Sequence, residues 1–144
     1  MPAVRDILAR KGTDVVHVSP ATSVLDAARL MNTRSIGSVV VVEAGALIGI
    51  FTERDILRRV VAEQREPAKT PVQAVMSTSL VTCTPDMSVA ECGAVMSGRR
   101  IRHLPVLEAG QLGGMVTTGD LLAFQIAEHE STIQHLNRYV YDVR

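Results

Sequence analysis

Apolar and polar positions follow one order along the chain, and that order occurs twice. An apolar helical lead-in at Val4, Ile7 and Leu8 precedes the β-branched run Val15–Val18, which predicts a strand. Ser23 followed by Asp26 is a helix-capping signal, and Val24, Ala27, Ala28 and Met31 then fall on one helical face. The runs Ser38–Glu43 and Leu47–Phe51, joined by Ala44-Gly45, predict two strands in a tight hairpin, and a second helix begins at Thr52. The series restarts with a strand at Leu80–Cys83. The capping pair is now Ser88 and Glu91, and the helical face is Val89, Cys92, Val95 and Met96. Strands His103–Glu108 and Leu112–Val116 flank Ala109-Gly110, and a last helix begins at Thr117.

Shifting the sequence by 65 positions aligns Pro20–Leu57 with Pro85–Leu122 without a gap, and 15 of 38 positions are identical. Composition alone would give roughly two or three. The expected organisation is a first unit over 1–64 with its lead-in helix, a polar linker over 65–71 containing Pro67 and Pro71, a second unit over 72–127, and a tail over 128–144. Ile126, Ile133, Leu136 and Val140 in and before that tail form a helical stripe, suited to packing on its own module or on a second chain. A unit of about 60 residues buries only about 60% of its surface and is marginal alone. The predicted fold is therefore α+β, with two strand-helix-strand-strand-helix units packed about a pseudo-twofold axis, and clefts at such an axis come in pairs.

Composition narrows the function. Aromatic residues are 3% with no Trp, too few for a base-stacking platform. Lys+Arg and Asp+Glu both number 15, so no global charge draws the chain to nucleic acid or an anionic membrane. Thirteen of the 15 cations are Arg, the side chain suited to bidentate grips on phosphate. Cys83 and Cys92 lack metal-ligand spacing and read as core residues in a reducing compartment, and no apolar stretch is long enough to span a bilayer, so the expectation is a cytoplasmic protein without a metal. No Ser/His/Asp or Cys/His set has useful spacing, which argues against an enzyme and leaves no catalytic residue.

The recurring polar motif is Gly49-x-x-Thr52-x-x-Asp55, matched by Gly114-x-x-Thr117-x-x-Asp120. A capping box accounts for the Thr–Asp spacing by itself. The same geometry suits a ligand: a helix N-terminus attracts phosphate, the Thr hydroxyl adds a donor, and an Asp one turn in can accept from a ribose diol. Gly49 and Gly114 would let the ligand approach the backbone.

These motifs, with Ile101-Arg102-His103-Leu104-Pro105-Val106 and the Ser19-Pro20 and Thr84-Pro85 steps before each first helix, make the unit resemble the CBS domain and the pair resemble a Bateman module, over about residues 4–130. The resemblance implies two adenosine-ligand clefts. One sets Thr117 and Asp120 against Ile36, Gly37 and Ser38; the other sets Thr52 and Asp55 against Ile101, Arg102 and Pro105. In the family each ligand's phosphate turns to the start of the second strand of the repeat that supplies its Asp, which in repeat two is Arg102 and His103. Ligands of the family include AMP, which leads the candidates here, ADP, ATP, NAD(H) and S-adenosylmethionine. The resemblance also implies a homodimer built on the helices after Thr52 and Thr117, with Ile56, Val60, Leu121 and Leu122 as its exposed apolar positions, and regulation of a separate protein. The alternative is a structural dimerisation module with empty clefts. Repeat two carries Arg102 and His103 where repeat one carries Gly37 and Ser38, so the Asp120 cleft is expected to hold phosphate better.

Overall fold

A computed structural model describes residues 1–142, apart from the side chains of His135 and residues 137–142. Helix α1 (Val4–Lys11) leads into β1 (His17–Val18), α2 (Val24–Arg34), β2 (Ser38–Glu43) and β3 (Ala46–Thr52). After β3 comes α3 (Glu53–Asp55), which widens into a π-helical segment over Ile56–Val61. Two short 3₁₀ turns, Pro67–Lys69 and Val72–Ala74, carry the chain to α4 (Val89–Arg99), β4 (His103–Glu108), β5 (Gln111–Thr117) and α5 (Thr118–Asp142). The chain is α+β and consists of two units of the same design.

Local chemistry explains the shared parts. The Ser23 and Ser88 hydroxyls accept from the amides of Asp26 and Glu91, each at 3.0 Å, and so start α2 and α4. Both hairpins turn through two left-handed residues, Ala44 at φ 51° with Gly45 at 81°, and Ala109 at 51° with Gly110 at 77°. That turn matches the twist of the flanking strands. In the first unit β1 pairs parallel with β2, which pairs antiparallel with β3.

The second unit departs from its expectation here. The strand predicted at Leu80–Cys83 shrinks to one parallel bridge, Cys83 to Val106, beside the β4–β5 pair. In the first unit the Val40 amide donates to the Val16 carbonyl at 3.2 Å. The counterpart of Val40 is Pro105, which has no amide hydrogen to give.

The lead-in segments change places. Val4, Ile7 and Leu8 of α1, grouped by sequence order with residues 1–64, are buried with Cys92, Met96, Leu104 and Val116 of the second unit. Val72 and Val75 are buried with Val24, Met31 and Phe51 of the first. Matching backbone bonds hold both exchanges: Val4 N–H to Met87 O and Val89 N–H to Pro2 O, and Val72 N–H to Thr22 O and Val24 N–H to Thr70 O.

Beyond the second motif α5 runs unbroken for 25 residues, so the tail drawn at 128–144 continues that helix to Asp142, the last described residue. The apolar positions on the closing helices sort differently from expectation. Val60 is fully buried, and Ile56 and Leu121 pack against the cores. Leu122 is exposed as expected, joined by Leu57, Val61, Ile126, Ile133 and Leu136. Helical spacing turns 56 and 60 inward and 57 and 61 outward. The stripe on α5 thus does not pack back on its own module among the described residues; the Val140 side chain lies outside them.

Gly114 marks where an exchanged helix seats, because a Cβ there would meet Leu8 Cδ2 at 2.8 Å. Leu8→Ala should cost about 2–4 kcal/mol as a large-to-small core change. Gly114→Ala alone should also destabilise. In the double variant the new methyl enters the space Leu8 leaves, so the combined loss should fall short of the sum by about 0.5–3 kcal/mol in urea unfolding. Strict additivity would mean that the two residues are not in contact.

Candidate functional site

Each Thr-x-x-Asp motif folds as a capping box. Asp55 Oδ2 accepts from Thr52 N–H at 2.9 Å, and the Asp55 amide donates to Thr52 Oγ1 at 3.3 Å. Asp120 Oδ2 and Thr117 repeat the pair at 2.9 and 3.1 Å. The first helical amides have further partners: Glu53 N–H donates to Gly37 O and Thr118 N–H to Arg102 O, both at 3.0 Å. These bonds tie the start of β2 or β4 to the helix that follows its hairpin. They also occupy two of the amides that were expected to face a phosphate, one at the start of each helix. Gly49 and Gly114 do not face a ligand either, since Met76 and Leu8 cover them.

One cavity of about 280 Å³ brings together Thr52 and Asp55 with Ile101, Arg102, His103 and Pro105. Asp55 is buried, and its Oδ1 faces Ser77 Oγ at 3.4 Å and Arg59 Nε at 3.8 Å. Arg54, Arg58, Arg59 and Arg100 complete the wall. Arg59 is anchored on the carbonyls of Val75 and Met76 at 3.2 and 3.0 Å, and Arg54 reaches the Arg100 carbonyl at 3.4 Å. Among the described residues no acid lies within ion-pair distance of Arg58, Arg100 or Arg102.

A second cavity of about 440 Å³ brings Thr117 and Asp120 to Ile36, Gly37 and Ser38. Glu53, Arg102 and His103 line both cavities. Gly37 makes that shared wall possible, because a Cβ there would stand 3.3 Å from Glu53 Oε1 and 3.5 Å from His103 Nε2. Here the carboxylate already has a cation: Lys11 Nζ, at the end of α1, sits 2.5 Å from Asp120 Oδ2 and 2.7 Å from the Met115 carbonyl.

The cations are not gathered at the Asp120 cleft, where the sequence placed the advantage for phosphate. Arg102 and His103 belong to both walls, and the other arginines stand around Asp55. Arg58 and Arg59 lie three and four residues after Asp55 on the same helical turn, a spacing legible in the sequence. Lys11 and Ser77 had no such signal, since only the exchanged lead-ins bring them to these sites.

Burial lowers the His103 pKa below its ordinary 6.5; Glu53 opposes the shift, while Arg102 and Lys11 reinforce it. Burial alone would raise Asp120, but the hydrogen bonds from Lys11 and Thr117 outweigh it and hold the carboxyl below 3.8. Burial pushes the Cys83 thiol up to about 12, with Cys92 adding to the shift, which leaves it an inert core thiol. No group of three or more His, Cys, Asp or Glu that could hold a metal occurs among the described residues.

The chain belongs to the CBS domain family, whose profile matches residues 4–62 and again 72–127. It is 38% identical over 131 residues to the CBS domain-containing protein YhcV of Bacillus subtilis, covering 91% of each chain. It is 34% identical over 146 residues to the mitochondrial CBS domain-containing protein CBSX3 of Arabidopsis thaliana, covering 95% of this chain and 71% of that one. Among solved structures it matches the CBS-domain containing protein ATU1752 of Agrobacterium tumefaciens with a TM-score of 0.82 at 37% identity, over 85% of this chain and 98% of that one. It also matches the CBS domain pair of protein MJ0100, solved with 5-methylthioadenosine and S-adenosyl-L-methionine, with a TM-score of 0.75 at 25% identity, over 85% and 98% of the two chains.

The Lys11–Asp120 pair predicts a pH dependence of folding. Asp120 has its ordinary pKa in the unfolded chain and a lower one in the fold. The stabilisation is therefore present above pH 3.8 and is lost as pH falls through the lower, folded value. Urea unfolding between about pH 5 and 2.5 should show a steeper loss for the wild type than for Asp120→Asn or Lys11→Met. Equal slopes in all three would mean that the pair does not form.

Proposed function

We propose that this chain is a non-catalytic regulatory module that senses adenosine-containing ligands in its two clefts and passes the signal to a partner protein. In the Asp55 cleft the ligand is phosphorylated, with AMP first among the candidates and ADP, ATP or NAD(H) behind it. One observation carries this reading: five arginines surround the Asp55 cleft, and four of them (Arg54, Arg58, Arg100 and Arg102) have no acidic partner among the described residues. A capping box needs no guanidinium at all. Ile101 and Pro105 hold the adenine, Asp55 accepts from the ribose with Thr52 orienting its carboxylate, and the arginines with His103 hold phosphate. The binding of two adenosine compounds by the MJ0100 pair supports the ligand class. The free, buried Cys83 and Cys92 suit a reducing compartment such as the cytoplasm.

The helices after the two motifs support a homodimer. Leu57 and Val61 are 62% and 61% exposed, and their repeat counterparts Leu122 and Ile126 are 58% and 49% exposed. An exposed apolar pair thus appears at the same helical positions on both halves, and two such helices offer an apolar face that a second copy of the chain could cover by twofold symmetry. Leu57→Asp combined with Leu122→Asp should leave a particle of 15.5 kDa by light scattering, and the wild type should give twice that mass. A wild type of 15.5 kDa at micromolar concentration rules the dimer out.

The ligand reading is tested by calorimetry. A hydrogen bond to a charged group is worth about 1.5–3 kcal/mol, so Arg58→Ala and Arg100→Ala should each weaken AMP about 10- to 150-fold and largely spare adenosine. Equal losses for both compounds would make these arginines packing residues. If no adenosine compound moves the melting curve at a hundredfold excess over a micromolar dissociation constant, where about 2.7 kcal/mol is expected, the empty dimerisation module is the correct reading.

A further inference from the structure

The charges of the two clefts differ position by position. Arg54, Arg58, Arg59 and Arg100 line the Asp55 cleft, and their counterparts 65 residues away are Gly119, Ala123, Phe124 and Ser35. Every cation has a neutral counterpart. What surrounds Asp120 is Lys11, Arg102 and the imidazole of His103 against Asp14, Glu53 and Asp120 itself, with Arg102, His103 and Glu53 on the wall shared with the other cavity. Lys11 is already committed, its ammonium bridging Asp120 Oδ2 and the Met115 carbonyl, so its charge is not available to a ligand's phosphate. Arg102 is shared with the other cavity, and a phosphate held beside Asp55 draws it to that side. Glu53 is shared in the same way, so the charges that belong to the larger cavity alone are the paired Lys11 and Asp120 and the carboxylate of Asp14, which has no cation within ion-pair distance among the described residues.

Resting on the adenosine-sensing reading, we infer that the Asp120 cleft is a distinct site for an adenosine compound without phosphate, uncharged or cationic at its 5′ end. A phosphate there meets like charge from Asp14 and Glu53 and no unpaired guanidinium of its own. An uncharged nucleoside keeps the ribose contact to Asp120 and meets no such repulsion. At about 440 Å³ the cavity has room for it. One chain therefore reads two chemically different adenosine ligands at once, one anionic and one not.

Calorimetry with adenosine and AMP on the whole chain tests this. Adenosine titrated into wild type saturated with AMP should still bind, with one site per chain. Asp55→Ala, which leaves the Asp120 cleft, should prefer adenosine over AMP by at least about tenfold. Asp120→Ala, which leaves the Asp55 cleft, should prefer AMP by a similar factor and lose that preference as salt rises. Adding Gly119→Arg to Asp55→Ala should bring AMP back. If saturating AMP excludes all adenosine, or Asp55→Ala still prefers AMP, the division of ligands is wrong while the sensing function stands. The wild-type competition decides this even if Asp55→Ala fails to fold. If wild type binds neither compound, the sensing function and the division of ligands both fall.

Discussion

Everything in this molecule depends on each half completing the core of the other. A unit of about 60 residues cannot bury enough apolar surface to stand alone. Here Val4, Ile7 and Leu8 close the second core, and Val72 and Val75 close the first. Leu8 and Met76 lie so close over Gly114 and Gly49 that a single methyl there would collide with them. These contacts tie the halves to each other at the back of the clefts. Because α1 crosses over, its last residue, Lys11, ends in a cleft that the chain order gives no reason to connect with it.

The same exchange settles what the Thr-x-x-Asp motifs can do. Their capping boxes close completely within the protein, and the strand starts take the next amides at Gly37 and Arg102. The cap and first amides are engaged within the protein, and the side chains around the box are what differ between the two clefts. A motif repeated faithfully can then serve two sites of different character. The frame asks only for Thr and Asp, and positions one turn further along decide the charge.

The features read correctly from the sequence are local ones. The Ser23 and Ser88 caps, both hairpins and both Thr-x-x-Asp boxes depend on residues within a few positions of each other. The family resemblance named residues that the fold does bring to each cavity, but not Arg58, Arg59, Arg100 and Ser77 in one or Lys11 and Asp14 in the other. What the repeat concealed was difference. Pro105 in place of Val40 removes a strand bond, a loss visible in the sequence but masked by the alignment of Leu80–Cys83 with Val15–Val18. Val60 and Leu57 differ only by the phase of a helix that turns π-helical at Ile56, and that phase put Val60 wrongly on the surface. The crossing of α1 left no local trace at all.

The unequal lead-ins also explain part of the charge asymmetry. The segment after the linker is a short 3₁₀ turn, Val72–Ala74, which leaves the Val75 and Met76 carbonyls open, and Arg59 donates to both. The counterpart segment is the full helix α1, whose Leu8 carbonyl is taken by Gly12 N–H at 2.8 Å. No arginine is required there. The equivalent residue, Phe124, turns into the second core, and the Arg10 guanidinium stacks over its ring at 4.7 Å while pairing with Glu128 at 3.2 Å. One face of the closing helix keeps exposed apolar residues in both repeats, Leu57 with Leu122 and Val61 with Ile126. The other face is released from that symmetry by the lead-in beneath it, and there Arg58 and Arg59 give way to Ala123 and Phe124. A difference in how two segments pack thus becomes a difference in the charge that lines two clefts.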